Sequence, residues 1–443
     1  MLLLVMACRE TTEPVTYPSR QTSTGVRAFG PTRILVIPAM WSNSPPSPLT
    51  PQAIQQYLFG AAPRGHLRRL YLDASNGAFE LTGDVAPWVR TAVATNDGGP
   101  GNLASTRFGD HLIEAINLTD ARLNFGRYDN DGPDGQPNSG DDDGFVDGGV
   151  VFVHSELNFI CPTGRDPHPH AAGLSLKDNG GPVPTQDAAR NGGFISIRRY
   201  TIMSATDCTA NQPGYGIMAH ELGHVLLGMP DLYHIVGGGT RLWEGRRWTV
   251  GCWELMAGGA WGCGRGAPTD HAPASAFGAW VRSEAGWVTP TEVPVDRDAT
   301  YELRPIGFGG TVLRIPVTAS EHFLVEYREQ SGVDADLAAS GVLIYRIRPN
   351  LSVLPQTPEA SAAREYRVML IEADADSGLT RTESTGGNRG VGTDVFNAQR
   401  STFSAETHPD ARASTGEALP FAITEIQIDP TRHRATLRVV PRP

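Results

Sequence analysis

Five consecutive residues, His220-Glu221-Leu222-Gly223-His224, carry a spacing that names a chemistry by itself. On a helix, side chains four positions apart project from one face a turn apart, so both imidazoles can reach one zinc ion. The glutamate between them sits beside the open coordination position rather than in it. From there it can take a proton from a metal-activated water and pass it to a leaving group. The neighbouring residues favour this chemistry over a chance match. Tyr215 to Gly228 has the apolar content of a mostly buried helix, through Ile217, Met218, Leu222, Val225 and Leu226, with Gly228 and Pro230 as stop signals. A histidine pair and a glutamate inside such a helix need a strong partner, and a metal ion is one.

A second patch of metal-compatible residues lies upstream. Tyr128 to Gly148 packs seven aspartates among glycines, too polar to build a core. The carboxylates of Asp129 and Asp131, and of Asp141, Asp143 and Asp147 around Gly144, have the alternation of oxygen-ligand calcium loops, although the glutamate and flanking helices of an EF-hand are missing. So many like charges just ahead of the apolar run Val150 to Val153 would repel without a cation, so calcium is expected here. A further run, Asp166, His168 and His170, falls in a glycine- and proline-rich stretch and reads as an exposed loop rather than a ligand set.

The elements that must hold these groups follow from patterning. Apolar runs predict a buried strand at Arg33 to Ile37 between two prolines, strands at Phe79 to Leu81 and Val150 to Val153, and an alternating strand from Phe194 to Met203. Helices are expected at 51–59, 66–73, 108–118 and 274–285. From about Asp296 the pattern changes to short strands at close intervals through Val439, which predicts an all-β, sandwich-like module. The expected fold is therefore α+β, with a catalytic domain over 31–294 that includes the acidic loop 128–148, and a β-rich C-terminal domain over 295–443.

Composition narrows the partners. The 443 residues carry a net charge of −11 without a basic run, which argues against nucleic acid. The first eight residues are a short apolar run ending Ala7-Cys8, like the end of a lipoprotein signal. That predicts a lipidated Cys8, a linker over 9–30, and an extracellular or cell-surface protein touching a membrane only through that anchor. Export in turn favours two disulfides among Cys161, Cys208, Cys252 and Cys263 over a second zinc site, because no CxxC pair is present. Sequence proximity pairs Cys161 with Cys208 and Cys252 with Cys263.

Taken in order, several stretches resemble the immune inhibitor A family of secreted bacterial zinc metallopeptidases. They are Leu70-Tyr-Leu-Asp-Ala-Ser-Asn-Gly, the Tyr128-Asp-Asn-Asp-Gly loop ending Asp143-Gly-Phe-Val-Asp147-Gly, and the HELGH helix followed by Leu-Gly-Met-Pro-Asp-Leu-Tyr. Trp253-Glu-Leu-Met256-Ala-Gly-Gly, Ala279-Trp280 with Gly286-Trp287, and Phe323-Leu-Val-Glu-Tyr-Arg328 continue the series.

The resemblance implies a zincin-like endopeptidase acting on proteins or peptides. His220 and His224 would be ligands, Glu221 the general base, and Met256 a turn residue beneath the metal. It also places a glycine three residues after the second histidine and an acid six after it. Here Leu227 takes the glycine position, and the acid, Asp231, comes seven after His224. One residue turns a helix by about 100°, so Asp231 is expected as third ligand only if the helix ends early; Glu244 and Glu254 are the alternatives. Tyr233 and His234 are candidates to stabilise the oxyanion. The residues ahead of the first strand are too few for the long inhibitory pro-segment common in that family, so any latency is expected to come from elsewhere. Two other functions compete: an inactive surface-binding protein on a zincin scaffold, prompted by the displaced acid, and a small-molecule zinc hydrolase, which the β-rich module disfavours.

Overall fold

The computed structural model describes residues 28–61, 65–95, 106–157, 161, 169–176, 180–206, 208, 214–237, 244–266 and 273–442. Cys8, Asp166, His168 and most of the expected linker lie outside them. The front of the fold is a mostly parallel sheet of β1 (Gly30–Met40), β2 (Phe79–Val85), β3 (Val150–His154), β4 (His170–Gly173) and β5 (Arg199–Ser204). Its order is β2-β1-β3-β5-β4, with the short strand Val89–Arg90 paired to the end of β1. The edge strand β4 runs antiparallel to β5.

The first strand runs through both prolines expected to bound it. Pro31 pairs only with β2, since β3 pairs from Leu35 onward, and Pro38 only with β3, since it falls between the last β2 pair at Val36 and the Val89–Arg90 pair that starts at Ala39. A proline there interrupts no second ladder. Phe194 to Met203 divides in two: Phe194–Ile197 joins a hairpin with Val183–Ala188, and Arg199 onward joins the main sheet.

Alternation along β1 buries both faces. Ile34 and Val36 pack with α1 (Pro51–Phe59) and α2 (His66–Ala74), while Leu35 and Ile37 pack with Phe108, Leu112 and Ile116 of α3 (Thr106–Asp120). The helix carrying the two histidines, α4 (Tyr215–Leu227), lies on the α1/α2 face. A buried tyrosine of the Leu70 to Gly77 stretch braces it: the Tyr71 hydroxyl donates to the Ala219 carbonyl at 2.8 Å.

One expected helix is mostly absent. Residues 274–278 form no helix, and only Ala279–Glu284 forms α5. The reason is that their backbone N–H groups are claimed by distant acceptors. Ala276 donates to Asp334, Gly278 to Glu254 and Ala279 to Glu326. Those bonds replace the helical ladder that apolar periodicity had suggested.

The C-terminal region is β-rich. β6 (Ala299–Leu303) pairs with the last strand of a three-stranded sheet, and β7 (Val312–Thr318), β8 (Glu321–Arg328), β9 (Gly341–Ile347) and β10 (Val368–Leu370) form most of a five-stranded one. β11 (Phe421–Asp429) and β12 (Arg434–Pro441) complete the smaller sheet, in the order β6-β12-β11. Alternation again divides the side chains. Phe323, Val325, Tyr327, Val342 and Ile344 share a cluster with the smaller sheet, whereas Leu324, Leu343, Tyr345 and Ile347 belong to the core around α4. Among the described residues, no helix is long and apolar enough to cross a membrane.

Candidate metal centre

The histidine helix is buried along nearly its whole length, and its two glycines permit close approach of other chain segments. A Cβ at Gly223 would lie 2.5 Å from Met256 Sδ, and one at Gly216 would lie 2.9 Å from the Ala274 side chain. The turn bearing Met256 therefore sits directly against α4. It is held by Glu254, whose carboxylate accepts from the Met256 and Gly278 N–H groups at 3.0 and 2.8 Å, and it lies between two bridged cysteines, Cys252 and Cys263. The other bridge joins Cys161 to Cys208. Both pairs match the sequence expectation.

After Leu227 the helix stops. Gly228 adopts the left-handed conformation (φ 67°), and its N–H caps the Gly223 and His224 carbonyls. Gly228 and Pro230 turn the chain back, so Asp231 meets both histidines: Asp231 Oδ1 lies 3.0 Å from His220 Nε2 and 3.3 Å from His224 Nε2. The extra residue that displaced the acid is absorbed as Leu227, which fills the core at 3 % exposure. Glu254 is committed to the turn, and Glu244 is not among the groups gathered here.

The ring nitrogens test whether a metal fits. His220 Nδ1 faces the Leu255 carbonyl at 2.9 Å and His224 Nδ1 faces the Met229 carbonyl at 2.6 Å. A carbonyl only accepts, so each Nδ1 carries the proton, and in the neutral rings both Nε2 lone pairs point at the Asp231 carboxylate. Three lone-pair donors converging without a hydrogen between them are a cation site. The alternative is to protonate the rings. Burial pushes the His224 imidazole down, but Asp231 overcomes this and holds it up at about 8. Burial likewise opposes ionisation of Asp231, yet the hydrogen bonds to His220 and His224 keep its carboxyl well below the usual carboxylate range.

Glu221 is 6 % exposed, and burial raises its pKa above the ordinary value against the pull of the two histidines. It accepts from the backbone of Ala171 on β4, the sheet edge. Tyr233 stacks toward His220 (centroids 6.1 Å apart), and its hydroxyl, its pKa raised by burial and then by the Asp231 charge, bonds to Asp231. The Arg246 guanidinium covers the other side of that ring at 4.6 Å. Sequence reasoning passed over Arg246 and the wall formed by Trp248 and Trp261, since aromatic spacing in a glycine-rich loop gives no periodic signal. His234 faces away, toward the Tyr366 hydroxyl at 3.3 Å. His170 is likewise occupied, with Nε2 3.0 Å from the Tyr200 hydroxyl.

The acidic loop divides. Asp129, Asp131 and Asp147 come together, all buried, with one oxygen of each within 4.8 Å of the others. Of the five expected carboxylates, Asp141 and Asp143 are not gathered with these three. Asp141 caps its own turn by accepting from the Asp134 N–H, and Asp143 pairs with Arg198 at 3.0 Å. Asp142, absent from that set, turns inward instead and accepts from the Gly132 N–H at 2.7 Å. Burial first, then neighbouring aspartates, raise the Asp129 carboxyl to about 8 and Asp131 to about 6, and push Asp147 well up. Asp129 Oδ1 and Asn130 Oδ1 are buried acceptors with no donor among the described residues. These unfilled acceptors fit an oxygen-ligated cation.

The sequence model of the immune inhibitor A peptidase M6 catalytic domain matches residues 55–288, more than half of the chain. The chain belongs to the immune inhibitor A peptidase family. This membership makes it a metallopeptidase acting on proteins or peptides, and it puts the gathered His220, His224 and Asp231 inside the matched catalytic region. A search of curated proteins gives no match to the chain. The stretch Phe323 to Arg328, which lies beyond the matched residues, packs against the peptidase fold instead of reaching the metal centre. Arg282 bonds Glu326 at 2.8 Å, and Arg328 bonds Asp334 and the Trp253 carbonyl at 2.6 Å each.

Proposed function

We propose that this immune inhibitor A-family peptidase is an exported zinc-dependent endopeptidase, with His220, His224 and Asp231 as ligands and Glu221 as general base. The observation that carries it is the fixed orientation of the two imidazoles, which leaves both Nε2 lone pairs and a carboxylate converging on one point. Zinc bound there would supply Lewis-acid activation of a water and of the scissile carbonyl. Glu221 Oε takes the proton from the attacking water and returns it to the departing amine, a role suited by its raised pKa. An extended peptide pairing with the β4 edge would pass this carboxylate, because Ala171 on that edge bonds it. The Tyr233 hydroxyl donates to the developing oxyanion once substrate displaces its contact with Asp231.

The same reading takes the peptidase as residues 31–294 and the C-terminal region as a sandwich, with calcium on Asp129, Asp131 and Asp147. Extracellular or cell-surface placement is part of the same proposal, supported by the two disulfides. The displaced acid that prompted an inactive-scaffold alternative is brought back to both histidines, which removes its motive. The test is Glu221→Gln: zinc content and melting temperature should stay near those of the parent while cleavage of casein falls by at least about 10²-fold. Full cleavage by the variant would sink the assignment.

A further inference from the structure

A third group of carboxylates lies apart from the metal centre and the acidic loop. Beyond β10 the chain continues Glu372-Ala373-Asp374-Ala375-Asp376, and one carboxylate oxygen each of Glu372, Asp374 and Asp376 lie within 4.8 Å of one another. A fourth acid backs them from a distant segment. Asp394 is fully buried beside Ala373, whose N–H donates to its carbonyl at 2.9 Å. Asp394 Oδ2 accepts from the Trp253 indole at 3.2 Å and from the Val391 N–H at 2.9 Å, but Oδ1 has no partner among the described residues.

Two bonds set Asp394 beside the cluster: the Ala373 N–H, between Glu372 and Asp374, donates to its carbonyl, and the hydroxyl of its neighbour Thr393 donates to Asp374 Oδ2. Two cations approach from outside: Arg265 and Arg381 each reach Asp376 Oδ2 at 3.7 Å. Among the described residues no cation pairs with Glu372, Asp374 or Asp394; Glu372 Oε2 accepts from the Leu379 N–H at 3.2 Å and Asp374 Oδ2 from the Thr393 hydroxyl. Burial followed by mutual repulsion keeps the Glu372 carboxyl up at about 8.

We propose that Glu372, Asp374 and Asp376 hold a calcium ion of their own, with the unpartnered Asp394 Oδ1 completing the oxygen shell. An all-oxygen, carboxylate-rich and irregular donor set suits calcium; zinc favours nitrogen or sulfur, and magnesium demands a near-ideal octahedron. The ion has a structural task at this position. The loops it would join grip the segment that leads to the Met256 turn. Leu379 accepts from the Trp248 and Thr249 N–H groups at 2.9 and 3.1 Å, Arg389 accepts from Cys252 at 2.5 Å, and Asp394 holds the Trp253 indole. Leu255 and Met256 follow immediately and lie beneath His220 and Gly223. Calcium in the C-terminal region therefore braces the floor of the peptidase centre.

The test is isothermal calcium titration of the full zinc-loaded chain carrying Glu221→Gln, which avoids self-digestion. Glu372→Gln with Asp374→Asn should bind one calcium equivalent fewer than the parent while keeping its zinc. A separate Asp129→Asn/Asp147→Asn variant should retain the equivalent lost from the first. Unchanged stoichiometry in the Glu372/Asp374 variant overturns the proposal. Should that variant fold poorly, the exposed Asp376→Asn substitution decides alone: at least a tenfold weaker affinity for one equivalent supports the site, and an unchanged isotherm refutes it. Terbium offers an independent readout, because an ion here sits next to the Trp253 indole. Tryptophan-sensitised terbium emission should fall in the Asp376→Asn chain, and equal emission from both chains counts against the site. None of these readouts depends on peptidase turnover.

Discussion

The acidic loop makes the stability of this protein depend on pH in a direction opposite to that of a salt-bridged carboxylate. In the unfolded chain Asp129 ionises near its ordinary 3.8, whereas in the ion-free fold it holds its proton to about 8. Folding therefore binds a proton between those values, and stability is full below about pH 4 and falls as pH rises toward about 8. At about 1.4 kcal/mol per pKa unit, the rise of Asp129 alone accounts for about 6 kcal/mol. Asp131, raised to about 6, acts in the same direction within the same coupled group, so the two do not simply add. With roughly 2.1 cal/mol/K of unfolding entropy per residue over 443 residues, ~6 kcal/mol corresponds to about 6 °C. Calcium removes the effect by replacing the proton, and it adds about 2.7 kcal/mol at a hundred times its Kd. The assay is a melting curve of the Glu221→Gln chain at pH 5 and pH 8, with calcium and with a calcium chelator too weak to strip zinc. Melting should fall with pH only in the chelated sample, and Asp129→Asn should abolish most of that fall. A chelated protein whose melting temperature is flat or rises from pH 5 to 8 would refute the reasoning.

Three further outcomes follow from contacts around the centre. Gly223→Val should push Met256 out of its seat, because even a Cβ would come 2.5 Å from its sulfur; weaker zinc retention by equilibrium dialysis should accompany lost activity, and unaltered zinc affinity would contradict this packing. Arg328→Met leaves Asp334 and the Trp253 carbonyl unpaired in the interior, so stability in urea should drop by about 3–5 kcal/mol, and a drop below 1 kcal/mol would show the pairing to be dispensable. Tyr233→Phe keeps the ring against His220 but removes the hydroxyl; kcat should fall by about 10-fold or more with KM little changed, and a change confined to KM would assign the tyrosine to substrate binding instead.

Much of the centre was legible because helical spacing and a stop signal are local properties. The two histidines and their glutamate are set by four positions of one helix, and no tertiary contact can move them relative to one another. Asp231 was less secure since its position depends on Gly228 reversing the chain, a conformation that depends on how the turn packs. The non-helical run 274–278 escaped prediction for a related reason: the acceptors for its N–H groups and for that of Ala279, namely Glu254, Glu326 and Asp334, are separated from it by many residues. Of the loop aspartates, alternation could not distinguish those facing inward from Asp143, whose partner Arg198 lies far along the chain, between two strands. The Glu372 group was invisible for the same cause, as its buried backing, Asp394, follows an unrelated loop.

The division of β8 between two cores has a consequence for how this peptidase can be handled. Leu324, Glu326 and Arg328 face the fold around α4, while Phe323, Val325 and Tyr327 face the smaller sheet. A chain cut near residue 294 would strip the partners from Arg282 and Glu254's neighbourhood and leave the wall behind the Met256 turn open to water. The C-terminal strands thus serve as the missing side of the catalytic body. The two regions should unfold in a single transition, and the peptidase should not be transferable to another protein without them.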